Sequence, residues 1–286
     1  MSRIAYVNGR YVAHREASVH IEDRGFQFAD GVYEVCEILS GRIIDETRHV
    51  ERLKRSLREL RIAMPMTEAS LKVVLRETIR RNRISDGMVY LQVTRGVARR
   101  DFVFPPEDTA SSLIVIARST DRGRAEALAS DGIAVLSLPD NRWDRVDIKS
   151  VSLLPNALAR QAAKEKGARE AWFVDRDGYV TEGAASNAWI VTREGSLGTR
   201  PAEQGILRGV TRTTLLDLAR RDGLVAVERP FTLDEAKAAR EAFVTAATTL
   251  VMPVVRIDDA AVGDGRPGPV TKRLRSEFHS IAESAD

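Results

Sequence analysis

Two short turn signatures constrain this chain more than anything else in it. In "RIAYVNGRYVA", β-prone residues stand on both sides of Asn8 and Gly9, and in "GVYEVCEILSGRII" the same pattern surrounds Ser40 and Gly41. Such pairs supply the left-handed backbone that tight hairpin turns need, so each stretch is expected to be two antiparallel strands. Between them lies the polar, glycine-punctuated link "HIEDRGFQFADG". From a start at Asp45 or Thr47, Val50, Leu53, Leu57 and Leu60 then recur at helical spacing, and after Thr67 so do Leu71, Val74, Leu75 and Ile79. "MVYLQVTRG" and "SSLIVIAR" read as strands flanking the basic, proline-containing loop "VARRDFVFPPEDTA". Strands and helices come in runs instead of alternating one by one. The expected class is therefore α+β (mixed α/β), not a doubly wound sheet.

A chain of 286 residues can hold two modest domains. The charged, apolar-poor stretch "RSTDRGRAEALASDG" is the best linker candidate, which predicts a smaller N-terminal α/β domain over 1–117, a linker over 118–130 and a larger domain over 131–286. That second part begins with the strand-like "IAVLSLP". Pro155 opens a helix through "NALARQAAKEK" that stops at Gly167, and "AWFVDRDGYVTEG" is a hairpin turning at Asp177-Gly178. "GILRGVTRTTLLDLARRDG" starts a helix near Gly209 and Thr211 that ends at Gly223; "EAFVTAATTLVMPVVRID" is a last strand-like run, and an amphipathic helix follows from Thr271.

Composition narrows the function. Cys36 is the one cysteine and no paired Cys/His spacing occurs, so neither a disulfide framework nor a zinc site is expected, and a reducing, cytoplasmic home is. No uncharged apolar run is long enough to cross a membrane. The net charge of +3, with acids among the bases and 6% aromatic residues, argues against nucleic acid as a partner.

Few residues stand out for chemistry, and each has a plain alternative. Lys149, in "DIKSVSLLPNALARQ", sits ahead of a helix start beside apolar residues. A lysine in such surroundings loses proton affinity and becomes a usable amine, although a surface lysine lying along apolar neighbours is the common case. Glu182, in "YVTEGAASN", is followed by small residues that leave room for a flat partner; a solvated strand end is the alternative. "GILRGVTR" offers unpaired amides at a helix start, with Gly209 allowing close approach and the Thr211 hydroxyl nearby, or simply an ordinary cap. Arg52 lies one position off the apolar stripe of its helix.

Taken together, "EDRGFQFADGVYEV", "HVERL", "YLQVTRG", "DIKSVSLLPNALARQ", "TEGAASN" and "ILRGVTR" resemble, in order, the fold-type IV pyridoxal-phosphate enzymes. Within that class the sequence is most similar to D-amino acid aminotransferases. The resemblance implies a two-domain fold with a larger C-terminal pseudo-barrel domain, pyridoxal 5'-phosphate as cofactor, and a homodimer whose interface completes the substrate pocket. It implies transfer of an amino group from a D-amino acid to a 2-oxo acid in two half-reactions. It also implies that Lys149 holds the cofactor's aldehyde and moves the substrate proton. By the same resemblance Glu182 pairs with the pyridine nitrogen, Arg52 and the Val210 and Thr211 amides after Gly209 bind the phosphate, Leu207 supports one ring face, and Tyr33 reaches the site with its hydroxyl.

The sequence departs from the family pattern twice. Where D-amino acid aminotransferases carry an arginine and, two residues on, a histidine for the substrate carboxylate, this chain has Arg100 and Phe102. A phenyl ring cannot donate to a carboxylate, which leaves Arg100, with Arg99 as a substitute partner. The phosphate-binding hydroxyl position falls on Ala247, with Thr248 or Thr245 as replacements. Phe102 brings R-selective amine transaminases into consideration. Gln92 and the "VTRG" ending argue against branched-chain aminotransferases, while aminodeoxychorismate lyase differs mainly in its pocket. An alternative of another class is a non-catalytic basic binding protein on the same scaffold.

Overall fold

The computed structural model describes residues 3–203 and 205–285. By its contacts the chain divides into two units. One comprises the chain up to Asp121, Ile148–Ser152 and the tail from Glu283, and the other comprises Arg122–Asp147 and Leu153–Ala282.

The first unit is built on a seven-stranded antiparallel sheet in the order Ser284–Ala285, Arg42–Ile44, Gly31–Leu39, Gly87–Thr94, Ser112–Ser119, Ile4–Val7, Arg10–Ala13. Both expected hairpins form, with left-handed backbone at Asn8 and Gly9 and at Ser40 and Gly41. Helices Glu46–Glu59 and Glu68–Asn82 lay Val50, Leu53 and Leu57, and Leu71, Leu75 and Ile79, against the sheet, where most of them join one core with Val32, Cys36, Val89 and Val115. The Thr67 hydroxyl accepts from the Ser70 amide and fixes the second helix start. The link before the second hairpin contains a short helix, Arg24–Phe28, capped by the Asp23 carboxylate at the Gly25 amide.

The second unit holds a nine-stranded mixed sheet ordered Ala226–Glu228, Leu197–Thr199, Asn187–Val191, Glu241–Ala246, Leu250–Ile257, Ile133–Pro139, Glu170–Val174, Val180–Gly183, with Ala260–Ala261 at the side of Leu250–Ile257. Pro155 does stand in the first turn of helix Leu154–Glu165, and Gly167 takes the left-handed position after it.

Three expectations are corrected. The stretch read as a linker forms the end of strand Ser112–Ser119 and a full helix, Arg122–Asp131, of which Ala129 alone is buried. The last strand-like run is two antiparallel strands that reverse at Ala247–Thr249, where Leu250 adopts a positive φ. Ile148–Ser152, which carries the lysine, belongs to the first unit, where Ile148 joins the core and Ser150 bridges Val32. Among the described residues no helix is long and apolar enough to cross a membrane.

Candidate active site

In the first unit, Lys149 belongs to an extended segment lying along the strand Gly31–Leu39. The Tyr33 amide donates to the Lys149 carbonyl at 3.0 Å and the Val151 amide to the Gly31 carbonyl at 3.0 Å. This pairing fixes the lysine backbone against the strand that carries Tyr33. The Lys149 Nζ stands 4.3 Å from the centroid of the Tyr33 ring, within range of a cation–π attraction. Tyr33 stacks in turn on Tyr90 at 5.7 Å, and the Tyr90 hydroxyl donates to Gln92 Oε1 at 2.7 Å. Burial, reinforced by Tyr33, pushes the Tyr90 hydroxyl up to about 12, so it stays a proton donor.

Arg52 points into the same unit and grips a carboxylate there. Its Nε donates to Glu34 Oε1 at 2.8 Å and its Nη2 to Glu34 Oε2 at 2.7 Å, while His49 Nδ1 lies 2.7 Å from Oε2. Burial pushes the Glu34 carboxyl up, but the Arg52 guanidinium and the His49 bond outweigh it and hold it at about 2. Glu34 and His49 were not singled out in the sequence. Glu34 left a signal: along the strand Gly31–Leu39 it alternates with Val32, Cys36 and Ile38 on the buried face, where an acid needs a partner.

In the second unit, Glu182 is buried at the end of Val180–Gly183 and receives three donors. Asn187 Nδ2 reaches Oε2 at 3.0 Å, the Leu207 amide reaches both oxygens at 3.1 and 3.2 Å, and Arg142 Nη1 reaches Oε1 at 2.5 Å. Arg142 also holds Asp140, with Nε on Oδ1 at 2.9 Å and Nη2 on Oδ2 at 2.7 Å, and lies 4.5 Å from the Phe173 ring centroid. Sequence reasoning missed Arg142 and Asn187. Arg142 stands 40 residues from Glu182 in a stretch without periodicity, and nothing local marks it.

Gly209 precedes helix Val210–Arg221, whose start has no side-chain cap, so the first-turn amides are without intrahelical acceptors. The glycine has a second reason to be there. A Cβ on it would lie 2.0 Å from Asn187 Oδ1, and Asn187 is the residue that donates to both Glu182 and the Leu207 carbonyl. Thr211 is buried in the first turn, and Leu207 sits half-buried just before it. Thr248 lies exposed in the turn between the last two long strands, whereas Thr245 is buried and its hydroxyl oxygen accepts from Trp189 Nε1 at 3.0 Å.

Arg100 and Phe102 stand on the exposed loop after Gly87–Thr94, in the first unit. The Arg100 guanidinium lies 4.8 Å from the Phe28 ring centroid, and the Phe102 ring, 83% exposed, meets the same Phe28 at 5.5 Å. Arg99 is exposed beside them.

A family model described as amino-transferase class IV matches residues 31–257. The chain belongs to the class IV aminotransferases. It is 40% identical over 284 residues to the D-alanine aminotransferase of Bacillus licheniformis, covering 97% of each chain. To the D-alanine aminotransferase of Staphylococcus haemolyticus it is 37% identical over 279 residues, 98% of each. Among solved structures, the branched-chain aminotransferase of Thermoproteus uzoniensis with norvaline superposes with a TM-score of 0.88 at 24% identity, over 99% of this chain and 99% of that one. The branched-chain aminotransferase of Escherichia coli gives 0.87 at 24%, over 98% and 94%. At these identities both likenesses speak for the fold alone. The expected fold-type IV architecture is therefore borne out. Class IV aminotransferases use pyridoxal phosphate to pass an amino group from a donor to a 2-oxo acid, and this chain is a pyridoxal-phosphate-dependent aminotransferase. That sets aside the non-catalytic reading.

Proposed function

We propose that this class IV aminotransferase moves the amino group of a D-amino acid, such as D-alanine or D-glutamate, to a 2-oxo acid such as 2-oxoglutarate or pyruvate. The observation that carries this reading is the whole-length similarity, at 37–40% identity, to relatives named D-alanine aminotransferase. Arg100, on an exposed loop where that group places a carboxylate-binding arginine, supports it.

The residues fit pyridoxal phosphate. The buried Glu182, ringed by donors, suits a protonated ring nitrogen, and the uncapped start of Val210–Arg221 suits a phosphate. Bound there, the cofactor supplies the aldehyde that takes up the amino group and the ring that delocalises the electron pair left when the Cα–H bond breaks. Lys149 would hold that aldehyde, and its Nζ is the amine placed to take the proton from the substrate Cα. Tyr33 keeps the Lys149 Nζ over its ring while the strand pairing holds the lysine backbone. Glu182 accepts from the ring N–H, and Arg142, Asn187 and the Leu207 amide keep its oxygens in place. Leu207 supports the ring face. The Val210 and Thr211 amides bind the phosphate, with Arg52 as its cation and Thr248 or Thr245 as hydroxyl donor; Arg100 holds the substrate carboxylate.

A second reading, an R-selective amine transaminase, is favoured by Phe102, which gives the loop an apolar ring where a donor would serve a carboxylate. The working form is proposed to be a cytoplasmic homodimer. The exposed Ile21, Phe26, Phe102 and Val103 of the first unit support the dimer, and the buried thiol Cys36, with no second cysteine, supports the compartment. The functional reading is tested by following the cofactor spectrum during half-reactions with D-alanine, D-glutamate, L-leucine and (R)-1-phenylethylamine. Faster conversion by the two D-amino acids supports it, and faster conversion by the amine or by L-leucine overturns it.

A further inference from the structure

The loop that carries Arg100 and Phe102 shows its side chains to solvent, yet its backbone is pinned from below by a buried arginine. Arg24 is 3% exposed at the start of the short helix Arg24–Phe28. Its Nε donates to Asp30 Oδ2 at 2.8 Å. Its Nη1 donates to the carbonyl of Asp101 at 2.6 Å and reaches that of Val103 at 3.5 Å, the residues on either side of Phe102.

The rest of the arrangement holds Arg24 still. Arg95 Nε and Nη2 bond the same Asp30 at 2.7 and 3.0 Å, while its Nη1 and Nη2 reach the carbonyls of Arg61 and Leu60. The Arg95 guanidinium lies 3.7 Å from the ring centroid of Phe104, the next aromatic along the loop. The guanidinium groups of Arg24 and Arg100 each lie 4.8 Å from the Phe28 ring centroid. The base of the loop is tied by the Arg24 amide to the Gly96 carbonyl and by the Ala98 amide to the Glu22 carbonyl. A buried guanidinium bonded to one carboxylate and two loop carbonyls is costly unless its donors are used, and its charge-assisted bonds are strong and directional. Pinning this loop fixes where an exposed arginine stands, which otherwise would be free to swing.

We infer that Arg24 is a positioning residue for substrate-carboxylate recognition: by holding the carbonyls of Asp101 and Val103 it sets where Arg100 and Phe102 stand. This rests on the reading of Arg100 as the carboxylate-binding residue. Arg24 touches no substrate, so its loss acts on how well the carboxylate is met and not on the proton transfer at Cα.

The test is a double-mutant cycle on the holoenzyme with D-alanine. Arg24→Lys keeps a cation for Asp30 but cannot also reach both carbonyls. It is expected to raise KM about tenfold with kcat within about twofold, and to add no further rise in an Arg100→Ala background. Amide exchange over 98–104 should quicken in Arg24→Lys. If the lysine variant does not fold, Arg24→Gln, which keeps one donor, gives the same comparison. An unchanged KM in Arg24→Lys while Arg100→Ala raises it overturns the inference and leaves the carboxylate reading standing. An equal rise in both backgrounds, or kcat falling in step with KM, also overturns it. If Arg100→Ala itself leaves KM unchanged, the carboxylate reading falls and takes this inference with it.

Discussion

Arg142 Nη1 donates to Glu182 Oε1 at 2.5 Å while two other nitrogens of the same guanidinium hold Asp140. Burial pushes the Asp140 carboxyl up, but the bonds and charge of Arg142 outweigh it and hold it below the ordinary carboxylate range. Arg142→Met removes one donor from Glu182 and the charged partner of Asp140, which keeps only the Thr181 hydroxyl and the residue-142 amide. The expected result is a loss of about 3–5 kcal/mol of stability from the broken buried pair. Cofactor affinity should also fall at least about tenfold. Thermal unfolding and a cofactor titration check both, and an unchanged dissociation constant would remove Arg142 from the support of Glu182.

Gly209 makes room for Asn187, so Gly209→Ala drives a methyl group against Asn187 Oδ1. Asn187 must then turn away from Glu182 or the helix start must shift. Gly209→Ala is expected to weaken cofactor binding about as much as Asn187→Ala, and the double variant to be no worse than Asn187→Ala alone. Additive losses in the double variant would show that the glycine serves something other than Asn187.

The acid limb of stability reports on Glu34. Its folded value of about 2 lies below the ordinary 4.5, so the unfolded chain takes up the proton first. The stabilisation is present above about pH 4.5 and is lost as pH falls through about 2. Glu34→Gln should lower the melting temperature at neutral pH, because Arg52 loses its buried carboxylate partner, and should flatten the fall in acid. Melting curves across that window decide; an unchanged slope would assign the acid limb to other carboxylates.

Tyr33→Phe keeps a ring under the Lys149 Nζ and removes the hydroxyl, whereas Tyr33→Ala removes both. Turnover should fall in both variants and further in Tyr33→Ala, by about tenfold or more beyond the phenylalanine form. Equal loss in the two would mean that the ring under Lys149 contributes nothing to catalysis.

Much of this was legible in the sequence, and what was not has physical reasons. Turn chemistry at Asn8-Gly9 and Ser40-Gly41 and the 3.6-residue spacing of Val50, Leu53 and Leu57 are local signals, and they formed as read. Helix Arg122–Asp131 was hidden because it buries little beyond Ala129, so good helix formers such as Arg, Ala, Glu and Leu make it without an apolar stripe. The reversal at Ala247–Thr249 was hidden because no glycine, proline or asparagine marks it and Leu250 takes the left-handed backbone. Lys149 and Glu182 stood out through their neighbours, but the donors that hold Glu182 come from Arg142, Asn187 and Leu207, whose meeting is a property of the folded sheet.

Everything proposed for the site depends on Lys149 carrying the cofactor, and chemical trapping reads that bond itself. The protein saturated with pyridoxal phosphate is reduced with borohydride, digested and its peptides weighed. One phosphopyridoxyl group is expected on the peptide containing Lys149, and none there in Lys149→Ala. A label on another lysine, or no label at saturating cofactor, would show that Lys149 is not the residue that holds it.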